Sequence, residues 1–225
     1  WLEKTLISFS EDLNQKLNIF EGDSLEIITN IIKEEKIKHV YWNRCYEPDR
    51  IVTDTFLKKE ITKLNVFAKS FNSSLLWEPW KIKNKSGNFY KVFTPFFKKG
   101  CLETDQPRIP LKKPKELLFL KLFKEDNIYQ FKFQNGKNKW YSKFEKIWNV
   151  SEDAAKNTFN NFLEHGASDY NEGRNFPSKN SVSKISAYLH WGQISPFRVW
   201  HEAKNRMFGS HKETFLSELG WREFS

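Results

Sequence analysis

Strand and helix signals alternate over residues 17 to 98, and no other feature of the chain limits its fold as strongly. The run Leu17–Phe20, apolar except for Asn18, predicts a strand. A helix follows that opens at Asp23 and has Glu26 three residues later, which is the spacing of a capping box. The run Lys38–Asn43 predicts the next strand, so these residues form one βαβ unit. We therefore expect an α/β domain built on a parallel sheet.

The same pattern continues for one more unit. From about Pro48, apolar residues recur at helical spacing as far as Leu64, and the run Asn65–Phe71 predicts a further strand. The sequence thus predicts a parallel sheet with helices on its faces. None of these strands is followed by a G-x-G-x-x-G or P-loop sequence, so a conventional dinucleotide or triphosphate site is unsupported.

Residues 99 to 150 lose this periodicity. They contain several prolines and many lysines, which predict an irregular connection with a short helix near Leu117 to Phe123. Between Lys81 and Lys146, seventeen Lys or Arg stand against six Asp or Glu. This positive charge favours a polyanionic partner, because phosphate contacts supply most of the non-specific affinity for nucleic acids. A solvated linker explains the same charge equally well.

From Ser151 onwards the pattern is helical. Ser151 can cap a helix whose apolar face includes Phe159 and Phe162, and Gly166 follows its end. A second, shorter apolar helix is predicted to contain Tyr188. The last third of the chain is therefore expected to be all-α.

The cysteine content and the hydropathy of the chain indicate the cellular compartment of the protein. Cys45 and Cys101 occur in a chain without a signal peptide or an apolar run of membrane-spanning length. We expect a reducing compartment, with the cytoplasm as the default, although a segment before Trp1 could carry a targeting signal. The histidines and cysteines lack metal-ligand spacing, so no metal is expected. The chain begins at Trp1 inside an amphipathic helical pattern and ends at Ser225 where a motif has just begun, which indicates a fragment of a longer protein.

Four segments in the last quarter of the chain follow one another in a characteristic order. They are YNEGRNFP (Tyr170–Pro177), SVSKIS (Ser181–Ser186), LHWGQISP (Leu189–Pro196) and ELGWREF (Glu218–Phe224). Together they resemble the DNA photolyase/cryptochrome family, class I. Three earlier segments are similar to the antenna domain of that family: VYWNRCYEPDR (Val40–Arg50), SFNSSLLWEPW (Ser70–Trp80) and GNFYKVFTPFF (Gly87–Phe97).

The resemblance implies a fold and three regions. Residues 1–98 would be a truncated, Rossmann-like parallel-sheet antenna domain, residues 99–150 a connector, and residues 151–225 the beginning of an all-α FAD-binding domain. A second antenna chromophore is possible but of unknown identity. Near Asn88 and Phe89 the chain lacks the acidic residue that folate-binding members often carry, which weakens a folate assignment.

The resemblance also implies an FAD site. Its residues would be Tyr170, Val182, Ser183, Lys184, Ile185, Ser186 and Phe215. Val182 stands where the family usually has Thr, and Phe215 where Trp is frequent, so one hydroxyl and one N–H donor are lost. Taken without the resemblance, the serines would be helix caps and Tyr170 a packing residue.

The same resemblance implies a DNA site. Glu218 and Trp221 would be catalytic, with the carboxyl hydrogen-bonded to a pyrimidine dimer and the indole stacked on it. Positions i and i+3 share one side of a helix, so both groups could meet one flipped-out pair of bases. Arg174 and Arg222 would contact DNA, although Arg174 could equally pair with Glu172.

The implied activity is light-dependent repair of cyclobutane pyrimidine dimers in DNA by electron transfer from reduced FAD. The protein would be a monomer whose partner is dimer-containing DNA. The family's electron-conducting tryptophans would lie beyond Ser225. Two alternatives remain: a cryptochrome-type blue-light receptor on the same scaffold, and a basic nucleic-acid-binding module without a cofactor.

Overall fold

The computed structural model describes residues 1–119, 122 and 140–225, which divide into two compact units. Residues Asn18–Ser74 form one unit, here called the sheet unit. Trp1–Leu17 and Leu75–Ser225 form the other, here called the helical unit. Within the helix predicted near Leu117 to Phe123, residues 117–119 and 122 are described and are not helical, and the other three residues lie outside the described part of the chain.

Ten helices and two strands make up the regular structure of the described residues. In chain order they are α1 (Leu2–Asp12), α2 (Ser24–Glu34), β1 (His39–Asn43), α3 (Pro48–Lys63), β2 (Phe67–Phe71), α4 (Phe93–Pro95), α5 (Ser142–Glu145), α6 (Glu152–His165), α7 (Tyr170–Gly173), α8 (Ser186–His190), α9 (Pro196–Arg206) and α10 (Gly209–Phe224). A π-helical turn, Phe96–Cys101, continues α4, and 3-10 turns occupy Pro79–Lys81 and Ala167–Asp169.

The sheet unit contains the predicted parallel pairing. β1 and β2 lie side by side with His39 opposite Phe67 and Asn43 opposite Phe71. The capping interaction predicted at Asp23 is confirmed, because its Oδ1 accepts the backbone N–H of Glu26 at 2.9 Å. The α/β fold class inferred from the alternating pattern is therefore confirmed for this unit.

Helices cover one face of this small sheet. Its core consists of four buried side chains from α2, α3 and the residue before β2, with Val40 and Ala68 of the strands packed against them: Ile32, Leu57, Ile61 and Val66. On the opposite face, Tyr41, Phe67 and Phe71 are 46–57% exposed. Side chains of a strand alternate between faces, so the exposed rings and the buried core belong to different sides. In the described residues, the helices α2 and α3 pack on one face of the predicted parallel sheet.

The strand predicted at Leu17–Phe20 is also wrong. These residues have no regular structure, and the described sheet contains only β1 and β2. A run of four residues, three of them apolar, is too short for periodicity to distinguish a strand from a loop that packs on apolar neighbours.

The helical unit has a continuous apolar core. Ser151 caps α6 as predicted, with its Oγ accepting the backbone N–H of Ala154 at 3.0 Å. The helices α6, α8, α9 and α10 all contribute to the core, and its largest fully buried side chains are Trp200, Tyr188, Phe159 and Phe197. Pro196 lies in the first turn of α9, where a missing N–H costs nothing.

Residues from Leu75 to Cys101 belong to the helical unit. Phe97, in the π-helical turn, lies against the backbone of α10 at Gly220, where an added Cβ would collide with the Phe97 ring. Gly220 is therefore required for the close approach of this segment to α10. The domain boundaries predicted at residues 98 and 150 stay predictions.

Candidate functional site

The helix α10 carries four of the predicted site residues. Phe215 is buried on its inner side at 3% exposure, whereas Glu218 and Trp221 lie at the surface. Trp221 is 47% exposed. A helix repeat of 3.6 residues places Glu218 and Trp221 one turn apart on the same side.

Glu218 is held by Arg174, which follows α7. The Arg174 Nη1 donates to the Glu218 Oε1 at 2.6 Å, and the two side chains are 29% and 38% exposed. This hydrogen bond raises the pKa of the Arg174 guanidinium, which therefore stays charged. A pair as exposed as this one adds less than about 1 kcal/mol to stability, so its main effect is to orient the carboxylate. The alternative pairing of Arg174 with Glu172 is not the one that the structure contains.

Trp221 is stacked on Phe93 from α4. Their ring centroids are 3.7 Å apart and the planes differ by 9°. Phe224, one turn further along α10, meets the indole edge-on at 5.8 Å. The indole thus has one covered face and a supported edge, although almost half of its surface remains exposed.

Tyr170 and Phe215 form part of the aromatic core beneath the surface residues. The two rings meet edge-on at 5.2 Å, and Phe162 lies within 5.5 Å of both. Tyr170 is only 7% exposed, and burial raises the pKa of its hydroxyl. The guanidinium of Arg174 lies 5.5 Å from the Tyr170 ring, so this core connects directly to the Glu218 pair.

The loop Ser181–Ser186 is fastened to the Tyr170 turn through Asp169. Ser181 Oγ and Lys179 Nζ donate to Asp169 Oδ2 at 3.0 Å and 3.1 Å, and these hydrogen bonds lower the pKa of the Asp169 carboxyl. Gly173 lies against the side chains of Asp169 and Ser181, since an added Cβ would collide with both. The loop is therefore held close to α7.

The predicted residues in this loop differ in exposure. Ile185 is buried in the helical core, whereas Val182, Lys184 and Ser186 are exposed and Ser183 is partly exposed. Lys184 adopts a φ of 55°, a left-handed conformation that turns the chain into α8 at Ser186. Ser183 and Ser186 thus lie partly or fully exposed on either side of this turn.

Arg222 is close to a buried carboxyl. Its Nη1 lies 3.1 Å from Oε1 of Glu223, whose side chain is 1% exposed and whose Oε2 accepts the backbone N–H of Trp77 at 3.2 Å. Burial raises the pKa of Glu223 from its ordinary value of 4.5 to about 7. Glu223 thus joins the end of α10 to the segment before Pro79.

The structure brings the residues predicted on α7 and α10 into one place. Tyr170, Arg174, Phe215 and Glu218 form a connected group, and Trp221 lies one turn away on α10. The sequence reasoning missed Phe93 and Asp169. Phe93 lies in the quoted segment Gly87–Phe97, but no spacing rule joins it to a residue 128 positions later.

Other kinds of site find no support in the described residues. No group of three or more His, Cys, Asp or Glu among them could hold a metal ion. In the same part of the chain, every helix is too short or too polar to cross a membrane. A groove of about 510 Å³ beside α1, lined by Lys4, Glu11 and Trp148 among others, contains none of the predicted site residues.

Comparison with known proteins decides the family. The family model described as DNA photolyase matches residues 1–115. The chain belongs to the DNA photolyase family. A deoxyribodipyrimidine photo-lyase of Agrobacterium fabrum is 34% identical over the whole chain, and cryptochrome-1 of Arabidopsis thaliana is 22% identical over the whole chain. The family resemblance inferred from the seven segments is therefore confirmed.

A solved photolyase structure has the same fold. The crystal structure of a bacterial class III photolyase from Agrobacterium tumefaciens matches 100% of the chain with a TM-score of 0.92 and 32% identity. The chain spans 48% of that structure, 48% of the Agrobacterium fabrum photolyase and 35% of the cryptochrome. It therefore corresponds to about half or less of the length of these relatives.

Proposed function

We propose that this chain is part of a light-dependent deoxyribodipyrimidine photolyase that repairs cyclobutane pyrimidine dimers in DNA with FAD as cofactor. The observation that carries this proposal is the pair on α10: an oriented carboxylate, Glu218, one turn from a half-exposed indole, Trp221. Among the relatives, those named deoxyribodipyrimidine photo-lyase support the same activity.

Trp221 would serve as a stacking platform. A flipped-out dimer loses the stacking of the duplex, and an aromatic side chain restores about 1–3 kcal/mol per base. The indole is suited to this task because it is exposed on one side and supported on the other. Loss of the ring would weaken dimer binding much more than binding to undamaged DNA.

Glu218 would recognise the dimer by hydrogen bonding. As the partner of a guanidinium, its carboxylate accepts hydrogen bonds, and thymine N3–H is a donor that an intact base pair would otherwise occupy. Arg174 would fix the direction of that carboxylate, and Arg174 and Arg222 would also bring positive charge to the phosphates next to the flipped bases.

The proposed FAD residues fit a flavin nucleotide in their chemistry. Ser183 and Ser186 present hydroxyl donors for phosphate oxygens at the tight turn of Lys184, whereas Val182 offers only an apolar contact. Tyr170, Ile185 and Phe215 are apolar or aromatic residues close beneath this surface. The chemistry that a bound reduced FAD supplies is light-driven electron donation, and Glu218 and Trp221 would hold the acceptor dimer in place.

The photolyase class, the oligomeric state, the location and the antenna chromophore are further parts of this proposal. The class I assignment is not confirmed, and the likeness to a class III photolyase favours that class instead. We keep a monomer in the cytoplasm and an antenna chromophore of unknown identity as proposals. A cryptochrome-type receptor is the second candidate, favoured by the similarity to cryptochrome-1 over the whole chain.

The test uses the full-length protein that contains this chain. We expect flavin absorbance after purification, and repair of a thymine-dimer oligonucleotide under blue light but not in the dark. Bound flavin without repair would contradict the photolyase and favour the cryptochrome. A protein without flavin, whose DNA binding depends on salt but ignores the dimer, would contradict both and favour a basic nucleic-acid-binding module.

A further inference from the structure

Three aromatic rings of the helical unit form a parallel column that ends at Trp221. Phe97 and Phe93 are stacked with centroids 5.6 Å apart and an angle of 8°, and Phe93 and Trp221 are stacked at 3.7 Å and 9°. Exposure rises along the column from 7% at Phe97 to 47% at Trp221. The column therefore runs from the core of the helical unit to its surface.

The inner end of the column is fixed. The Phe97 ring lies against Gly220, where any Cβ would collide with it. Phe224 meets Phe93 edge-on at 5.9 Å and Trp221 edge-on at 5.8 Å. The position of Phe93 is thus set by groups on both α10 and the π-helical turn, and Phe93 in turn sets the plane of the Trp221 indole.

We infer that Phe93 is a positioning residue for lesion recognition, which backs the inner face of Trp221 so that a flipped-out base stacks only on the outer face. This inference rests on the proposed function. At 3.7 Å the gap between the Phe93 and Trp221 rings is already a stacking distance, so no base fits between them. A half-exposed indole without such backing would have to lose rotational freedom whenever DNA bound.

The test compares three substitutions at this position in the full-length protein with bound flavin. Phe93→Leu keeps most of the apolar volume but removes the ring, Phe93→Ala removes both, and Phe93→Tyr keeps the stack. We measure affinity for a thymine-dimer oligonucleotide and for the same undamaged oligonucleotide. Aromatic pairing energies predict that Phe93→Leu and Phe93→Ala lose affinity for the dimer by about three- to tenfold. Affinity for undamaged DNA should stay unchanged, and Phe93→Tyr should behave as wild type.

A second readout reports on the indole itself. With 5-fluorotryptophan incorporated, the ¹⁹F resonance of Trp221 is assigned through Trp221→Phe. Phe93→Leu should shift that resonance, because the ring current of Phe93 is lost, while the other tryptophan resonances stay in place.

Several outcomes would overturn the inference. They are wild-type dimer affinity in Phe93→Leu, an equal loss of affinity for damaged and undamaged DNA, and an unchanged Trp221 resonance. If the wild-type protein itself shows no preference for the dimer, the proposed function fails. A shifted Trp221 resonance would then still establish that Phe93 positions the indole, so the two failures are distinguishable.

Discussion

The helical unit and the sheet unit differ in how completely they bury their apolar surface. The helical unit encloses large side chains such as Trp200 and Phe159 at 1% exposure, and its core extends from Leu76 to Leu219. The sheet unit buries four apolar residues and leaves the aromatic rings on the other face of its two strands largely exposed. Two-stranded sheets are at the limit of independent stability.

This difference explains where the candidate site lies. All the predicted cofactor and DNA residues belong to the helical unit, in which buried neighbours fix their positions. Tyr170 packs on Phe215 and lies 5.5 Å from the Arg174 guanidinium, and Asp169 holds the loop that precedes α8. A site on the sheet unit would depend on a much smaller core.

The largest expected effects come from truncating one buried side chain in each unit. Phe159→Ala in α6 should cost the helical unit about 3–5 kcal/mol, and Ile61→Ala in α3 should cost the sheet unit about 2–5 kcal/mol. Hydrogen exchange of backbone amides would follow the two units separately. With Ile61→Ala, we expect faster exchange in β1 and β2 and unchanged protection in α10.

A uniform rise in exchange across both units after Ile61→Ala would show that the two units do not unfold separately. Lys58→Ala, an exposed position on α3 close to Ile61, serves as the control and should change neither unit.

The second expected effect is a pH dependence of the stability of the helical unit. Burial raises the pKa of Glu223 from 4.5 to about 7, so the folded protein holds this proton more tightly than the unfolded chain does. The stabilisation is fully present below pH 4.5 and is lost as the pH rises through about 7. Its size is about 3 kcal/mol. Denaturant unfolding between pH 4.5 and 8 would measure it.

The variant Glu223→Gln keeps an acceptor for the Trp77 N–H but does not titrate, so it should lose this part of the pH dependence. Glu213→Gln, an exposed position on the same helix, should keep it. The same pH slope in Glu223→Gln and wild type would contradict the assignment of the shift to Glu223.

Much of the fold follows from the sequence because it depends on local signals. The caps at Asp23 and Ser151 and the proline that opens α9 were predictable, since each acts on backbone groups within four residues. The resemblance to the family motifs predicted the candidate site residues on α7 and α10. The stacking of Phe93 on Trp221 and the anchoring of the loop by Asp169 were not predictable, because tertiary packing alone brings these partners together.

The smallest expected effect concerns the reaction rates of the two thiols, one in each unit. Cys45 is exposed, although desolvation and Glu47 raise its pKa, whereas burial raises the pKa of Cys101 to about 12. With a thiol reagent at pH 8, Cys45 should react first, and Cys101 should react at least about 100-fold more slowly, when the helical unit opens. Cys45→Ser leaves Cys101 as the only reporter. Equal rates for both thiols would mean that the helical unit is no better packed than the sheet unit.

We propose that Glu218 and Trp221 form the dimer-binding site of a flavin-dependent repair enzyme. The most direct test measures blue-light repair of a thymine-dimer oligonucleotide, at sub-saturating substrate and per bound flavin, by full-length Glu218→Ala and Trp221→Ala. The exposed positions Glu213→Ala and Trp140→Ala are matched controls. We expect a loss of about tenfold or more in both site variants, with normal flavin content and normal repair in the controls. Wild-type repair in either site variant would contradict it.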